Sequence, residues 1–348
     1  MQQLDQIHQR LLAHGAGPLH LQRILRCWVQ ARPLEGGRRK LDDFLPLAVR
    51  RDLPALLADL AGLARLHSAH PGEDGSQRLL VALADGQTVE TVLLPRGGLC
   101  VSTQVGCAVG CVFCMTGQGG LLRQLGSAEI VAQLALARSR RAVNKVVFMG
   151  MGEPAHNLEA VMQAIQLMGT AGGIGHKNLV FSTVGDPRVF DRLLALPSDA
   201  VKPALALSLH STDAKRRREL LPRAPELSPE ALVDLGERYA RLSGYPIQYQ
   251  WTLLQGVNDS DEELAGIARL LQGKYALMNL IPYNQVEGLP WRRPDMERAA
   301  EMARRLHRLG ILCKLRRSAG QDVDAGCGQL RARKVVPIRQ EAVASQDV

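Results

Sequence analysis

With 348 residues the chain has material for one large domain and a small appendage, and 46% hydrophobic against 22% charged residues argues against a disordered chain. The formal charge of +9 favours a polyanionic partner, while 4% aromatics argues against RNA recognition on a broad stacking platform. There is no apolar run of about 18 residues and no signal-like N-terminus, so the chain reads as a cytoplasmic protein without membrane contact, and as a monomer.

Residues 1–70 read as short amphipathic helices. "LDQIHQRLLAHG" stops at a glycine, "PLHLQRILRCWVQA" follows a proline, and "LDDFLPLAVRRDLPALLADLAGLARL" continues the helical period. "HPGEDGSQRLL" punctuates the chain, and "VETVLLP" reads as the first strand. From Leu99 strands and helices alternate: "LCVSTQVG", "NKVVFMGM", "NLVFSTVG", "ALALSLHS", "YQWTLLQG" and "ALMNLIPYN" each precede a helical segment, and "ILCKLRRS" closes the series. Apolar strands separated by helices of 10–15 residues require a covered parallel sheet. About six such units predict an α/β fold, a partial (β/α)6 barrel, with chemistry at the C-terminal strand ends. The predicted boundaries are a helical accessory domain over 1–75, a connecting strand segment over 76–95, the barrel core over 96–335, and a tail over 336–348.

Four of seven cysteines fall in "LCVSTQVGCAVGCVFCMTG": Cys100, Cys107, Cys111 and Cys114. An odd number of cysteines without a secretory signal makes structural disulfides a poor default. The C-x3-C-x2-C trio leaves three readings open. Packing cysteines have no reason to share such spacing, and a zinc site lacks a near fourth ligand. An iron–sulfur cluster normally takes four thiolates, so three leave one iron open.

The trio, with Phe113 before its last cysteine, resembles the radical SAM superfamily, in which S-adenosylmethionine (SAM) chelates the open iron of a 4Fe–4S cluster and is cleaved to a radical. "MGMGEP", with Gly152 and Glu153, resembles the superfamily's loop for the SAM amine. "LCVSTQVGC" and "DVDAGCGQL", with Asp74-Gly75, Val89–Thr91, "SLHS", "GVND" and "NLIPYN", resemble the RlmN/Cfr family of adenine methyltransferases over roughly residues 74–330. The resemblance implies methylation of an adenosine carbon in 23S ribosomal RNA, C2 before C8, with transfer RNA a further substrate. It implies that Cys327 receives a methyl group from one SAM. A radical made from a second SAM activates that methyl, the RNA becomes tethered to Cys327, and Cys100 releases it by forming a disulfide that reductant reopens. A cytoplasmic electron donor is implied as well.

Glu90 matches the family's proposed proton acceptor. SAM contacts map onto Gly152, Glu153, Ser182, Ser208, Leu209, His210 and Asn284. For the RNA, Lys215–Arg218 and Arg331, Arg333 and Lys334 are the candidate phosphate contacts. Each of these has a plainer reading: Cys327 and Cys100 as core residues, Glu90 as an outward strand residue, His210 as a hydrogen-bonded structural histidine, the basic runs as solvated faces. Cys27 and Cys313 match no family position and read as packing residues. The chain departs from the family at "GGLLRQL", "STVG", "YQWTLL" and "PYNQVEG", which predicts a divergent subgroup. Two rival functions differ in class: a radical SAM enzyme without an RNA substrate, and a zinc-stabilised RNA-binding protein.

Overall fold

The computed structural model describes residues 3–36 and 40–331. The expected tail over 336–348 and the last residues of the expected core lie outside them. Four helices come first: α1 (Leu4–Ala13), α2 (Pro18–Val29), α3 (Leu41–Phe44) and α4 (Leu47–Gly62). They are followed by β1 (Arg65–Pro71), β2 (Gln77–Ala82) and β3 (Thr88–Leu94), joined as an antiparallel meander. The "VETVLLP" segment is therefore the third strand, not the first. The β2–β3 turn is built on Asp85-Gly86, where Gly86 takes φ 83°, a left-handed conformation suited to glycine. Strand β1, "RLHSAHP", is half-buried and carries two histidines, so no alternation betrayed it.

Next come β4 (Gly98–Cys100), β5 (Gln104–Gly106), α5 (Met115–Gln118), β6 (Leu121–Gln124) and α6 (Ser127–Arg138). Beyond them the chain alternates: β7 (Lys145–Phe148), α7 (Leu158–Thr170), β8 (Leu179–Thr183), α8 (Pro187–Leu194) and β9 (Ala204–Ser208). It continues through α9 (Ala214–Leu220), α10 (Pro229–Ser243), β10 (Ile247–Leu253), α11 (Asp261–Leu271), β11 (Ala276–Pro282), α12 (Met296–Arg308) and β12 (Cys313–Leu315). The sheet order is β1-β2-β3-β4-β7-β8-β9-β10-β11-β12, and every pairing from β4 onward is parallel. Six strand–helix units thus form the expected partial barrel, with β12 added at one edge and the meander at the other. Short strands buried on both faces, such as "LVFST" and "ALALS", are what such a sheet demands.

The single expected strand "LCVSTQVG" divides. β4 joins the main sheet, whereas β5 pairs with β6 in a separate ribbon that frames the cysteine loop. Gly106 permits this: a Cβ there would stand 2.0 Å from the Gly120 carbonyl oxygen. The N-terminal helices lie against the outer layer, with α2 packed on α6. The Leu4 N–H donates to Ser127 Oγ (2.8 Å), and Gln30 Nε2 donates to the Ala171 carbonyl (2.8 Å). Helix α6 is consequently buried on nearly every side. Among the described residues no helix is long and apolar enough to cross a membrane.

Candidate active site

Cys107 follows β5, and its N–H donates to the Gly120 carbonyl (2.9 Å), pinning the loop to the ribbon. The Cys114 N–H donates to the Cys111 carbonyl (3.0 Å), and Trp291 Nε1 donates to the Val112 carbonyl (2.8 Å). Val109, Phe113, Leu220, Leu221, Leu254 and Tyr283 surround the thiols with apolar surface. Burial pushes the Cys107 thiol up to about 12 and raises Cys111 and Cys114, with mutual repulsion among the three adding to it. The thiols are thus within electrostatic reach of one another. Among the described residues, however, no three Cys, His, Asp or Glu side chains converge as a single metal ion needs. Three spaced thiols in an apolar shell fit a multi-iron cluster with an open corner.

Beyond β7, Gly152 takes φ 105°, and a Cβ there would meet Gln104 at 2.7 Å. The next residue, Glu153, is buried; it accepts from the Ala155 N–H (3.0 Å) and the Val184 N–H (3.1 Å), which ties "GEP" to the loop after β8. Burial pushes its carboxyl up to about 7. Ser182 and Ser208 are half-buried near the ends of β8 and β9. Leu209 is fully buried, and its N–H donates to the Gln250 carbonyl (3.0 Å). His210 takes φ 59°, and its ring stands edge-on to Phe113 with centroids 4.9 Å apart. Nδ1 accepts from the Thr252 N–H (2.9 Å), while burial and then Arg217 pull the imidazole down to about 3, so it is neutral at pH 7. Asn258, of "GVND", donates to the His210 carbonyl (2.7 Å) and the Thr252 carbonyl (2.8 Å), bracing that turn.

Cys100 ends β4 and is buried, whereas Cys327 is exposed. Both line one cavity of about 630 Å³ inside the barrel, together with Cys114. Burial, then the charge of Cys327, pushes the Cys100 thiol up to about 12, and Cys327 also acts on Cys114. Cys327 thus shares its cavity with Cys100 and with one member of the trio. Its loop is fastened from several directions. Asn284 Nδ2 donates to the Cys327 carbonyl (2.9 Å) and to Ser318 Oγ (2.8 Å). The Met115 N–H donates to the Gly328 carbonyl (2.7 Å), and Asp74 Oδ2 accepts from the Gly320 N–H (3.0 Å). The contacts of Asn284 thus lead to the cysteine loop, a part its place in "PYN" did not announce.

Glu90 is not among the residues lining the cavity. It is fully buried, paired with Arg78, and accepts from the Arg331 N–H (2.9 Å). Arg78 Nε also donates to the Val323 carbonyl (2.6 Å), so this buried pair grips both ends of the loop that carries Cys327. The reading of Glu90 as an outward strand residue is corrected by that burial. The run at 215–218 is corrected too. Arg217 is buried and donates to the Val184 carbonyl (2.5 Å), and Arg216 pairs with buried Glu263 (2.9 Å). Lys215 and Arg218 alone remain exposed. Arg333 and Lys334 lie outside the described residues. Cys313 sits in the core and Cys27 packs against it, as expected.

The sequence model of the radical SAM superfamily matches residues 101–268. A protein of Leptothrix cholodnii named "Probable RNA methyltransferase" is 70% identical over 334 residues, 96% of this chain and 95% of its own. A like-named protein of Azoarcus sp. strain BH72 is 69% identical over 341 residues, 98% of this chain and 97% of its own. The crystal structure of a radical SAM methyltransferase from Sphaerobacter thermophilus aligns with TM-score 0.80 at 34% identity, over 95% of this chain and 98% of that one. Membership implies a 4Fe–4S cluster and SAM. With a three-thiol loop at the mouth of a six-unit barrel and relatives of this identity over nearly its whole length, the chain belongs to the radical SAM superfamily, as one of its methyltransferases.

Proposed function

We propose that the protein methylates RNA in the cytoplasm, at an adenosine carbon, C2 of an adenine in 23S ribosomal RNA first and transfer RNA as a further substrate. The observation that carries this reading is a second thiol pair outside the cluster loop, Cys100 and Cys327, sharing one cavity. A radical SAM enzyme acting on a substrate that needs no methyl carrier has no use for such a pair. The names of the curated relatives support RNA as the substrate class.

Cys107, Cys111 and Cys114 would hold the cluster, and Gly152, Glu153, Ser182, Ser208, Leu209, His210 and Asn284 would seat SAM. When bound, the cluster supplies the electron that cleaves SAM, drawn in turn from a cytoplasmic donor. The chain's own residues do the rest. The sulfur of Cys327 takes the methyl carbon as its sulfonium bond breaks, which suits its exposure. Asn284 and the Arg78–Glu90 pair hold the backbone of the loop that brings that sulfur to the cavity. Once an RNA carbon is joined through a methylene to Cys327 and the adduct has given up its unpaired electron, which the cluster when bound would take back, the Cys100 thiol loses its proton and attacks the Cys327 sulfur. The sulfur–carbon bond breaks toward carbon, which takes up a proton to complete the methyl group, the adenine ring proton is lost to a base, and a Cys100–Cys327 disulfide remains for two electrons to reopen. Glu90 can accept that proton only by parting from Arg78.

Mass spectrometry of the purified protein tests the reading: the peptide containing Cys327 is expected to carry one methyl on sulfur. Nucleoside analysis of RNA from cells with and without the gene then separates C2 from C8. An unmodified Cys327 in protein with a full iron complement would sink the proposal.

A further inference from the structure

With Arg217 buried and Arg216 paired with Glu263, the run at 215–218 leaves only Lys215 and Arg218 exposed for RNA, and further cations are sought elsewhere. The cavity that holds Cys100 and Cys327 supplies them. Lys145, the first residue of β7, Lys314, in β12, and Arg316, just beyond it, all line it. Strands β7 and β12 are five places apart in the sheet, yet burial and then Arg316 and Lys314 pull Lys145 below the usual lysine range. The sheet is thus rolled enough to bring the exposed Lys145 and Lys314, with Arg316, to the lining of one cavity. None of the three has a side-chain hydrogen bond or ion pair among the described residues. Asp74, the one carboxylate lining the cavity, already accepts from the Ser76 and Gly320 N–H groups (2.9 and 3.0 Å).

A second, independent observation comes from Asn279, the register partner of Lys314. It is 2% exposed, lines the same cavity, and its Nδ2 donor has no partner. Gln250, beside it on β10, leaves Oε1 unpartnered as well, so the two amides do not satisfy each other. A buried unpaired donor costs about 1–3 kcal/mol and calls for an acceptor. Two ammoniums, a guanidinium and an amide N–H with no free carboxylate describe a site for an oxyanion. Lys145 lies opposite Gly98, two residues before Cys100 on β4, hence about 7 Å along the strand from the resolving thiol. That is comparable with the span from a nucleobase to the phosphate of its own nucleotide.

We propose that Lys145, Lys314, Arg316 and Asn279 seat a backbone phosphate of the RNA and so fix the nucleotide whose base meets Cys327. The proposal rests on the RNA reading above and assigns that substrate a subsite. In the test, the cluster-loaded enzyme and its Lys145→Gln, Lys314→Gln and Lys314→Arg variants are titrated with transcribed 23S rRNA across a salt series, with inorganic phosphate as a second probe. Iron content and the S-methyl mass of Cys327 are read on the same preparations. Each Lys→Gln change is expected to weaken RNA binding and lower the slope of log affinity against log salt by about 0.7, the value for one phosphate on a single strand. Lys314→Arg should retain wild-type affinity, and iron and Cys327 methylation should persist throughout. Unchanged affinity and slope in both Lys→Gln variants would overturn the proposal, as would loss of the Cys327 methyl with iron intact, which would make the site one for SAM. A wild-type enzyme that binds inorganic phosphate but no RNA would overturn the substrate reading itself.

Discussion

The two cysteine regions of this protein are built on opposite principles. Cys107, Cys111 and Cys114 sit within eight residues of chain, wrapped in apolar side chains and pinned through the loop's backbone, to Gly120 nearby and to Leu220 and Trp291 farther off. Cys100 and Cys327 come from distant parts of the sequence and line one cavity that cations also line, with the Cys327 loop held by side chains that clasp its backbone. A cluster gains from an apolar shell that tunes its potential and limits solvent access. A thiol that must carry a group to a large substrate gains from exposure and from a loop with adjustable fastenings. On the proposed reading, the difference divides one barrel end between a fixed electron-handling part and a carrier fastened by its loop.

The sharpest way to break that comparison is to remove one thiol from each region. Cys107→Ala is expected to abolish both iron binding and methylation, whereas Cys100→Ala should keep iron and trap an RNA–protein adduct visible on a denaturing gel. If Cys100→Ala turned over freely with no adduct, the two regions would not be divided by task. A smaller effect is expected from the fastening of the carrier loop. Glu90→Gln leaves the Arg78 guanidinium buried without its charge partner, which costs about 3–5 kcal/mol by urea unfolding. Hydrogen exchange over residues 320–331 should quicken in that variant, with iron content unchanged.

The smallest effect concerns pH on the cluster side. His210 is held neutral, its folded value near 3 lying below the ordinary 6.5. The unfolded chain therefore binds a proton between those values that the folded chain refuses, and stability falls as pH drops through that window. The slope from this group is about 1.4 kcal/mol per pH unit. His210→Gln should show a shallower acid loss than the wild type between pH 6 and 4; parallel curves would mean that the ring does not titrate as its burial requires.

How much of this could be read from sequence follows the same division. Thiols at fixed short spacing, and apolar strands alternating with helices, are local patterns, so the sequence offered both the trio as a candidate and the barrel, and the fold bears out the barrel. The meander was not legible, because β1 carries "HSAH" on a half-buried edge and has no clean period. The fate of the basic run was equally hidden. Arg217 looks like its neighbours in "KRRR", and only the packing of α9 against the barrel decides that it is buried while Lys215 is not. Conversely, Lys145, Lys314 and Asn279 lie on strands far apart in the chain, and no spacing rule joins them. Asn284 and Asp74 stood out within motifs, but their partners, Cys327 and Gly320, are revealed only by the fold.

The bonds that fasten the carrier loop span nearly the whole chain: Asp322 to Glu73 across 249 positions, Gly320 to Asp74 across 246, Val323 to Arg78 across 245 and Arg331 to Glu90 across 241. During synthesis the meander emerges early and waits for a partner made near the end. The loop-closure entropy of such contacts is not offset until the barrel between them has formed. The thiol trio lies far earlier in the chain, although the segment that follows it is also tied to this late loop, by the Met115 N–H to the Gly328 carbonyl. On the proposed reading, placing the methyl carrier is in that sense a late checkpoint: a chain cut short before Cys327 would retain every strand of the main sheet but would lack the proposed carrier thiol.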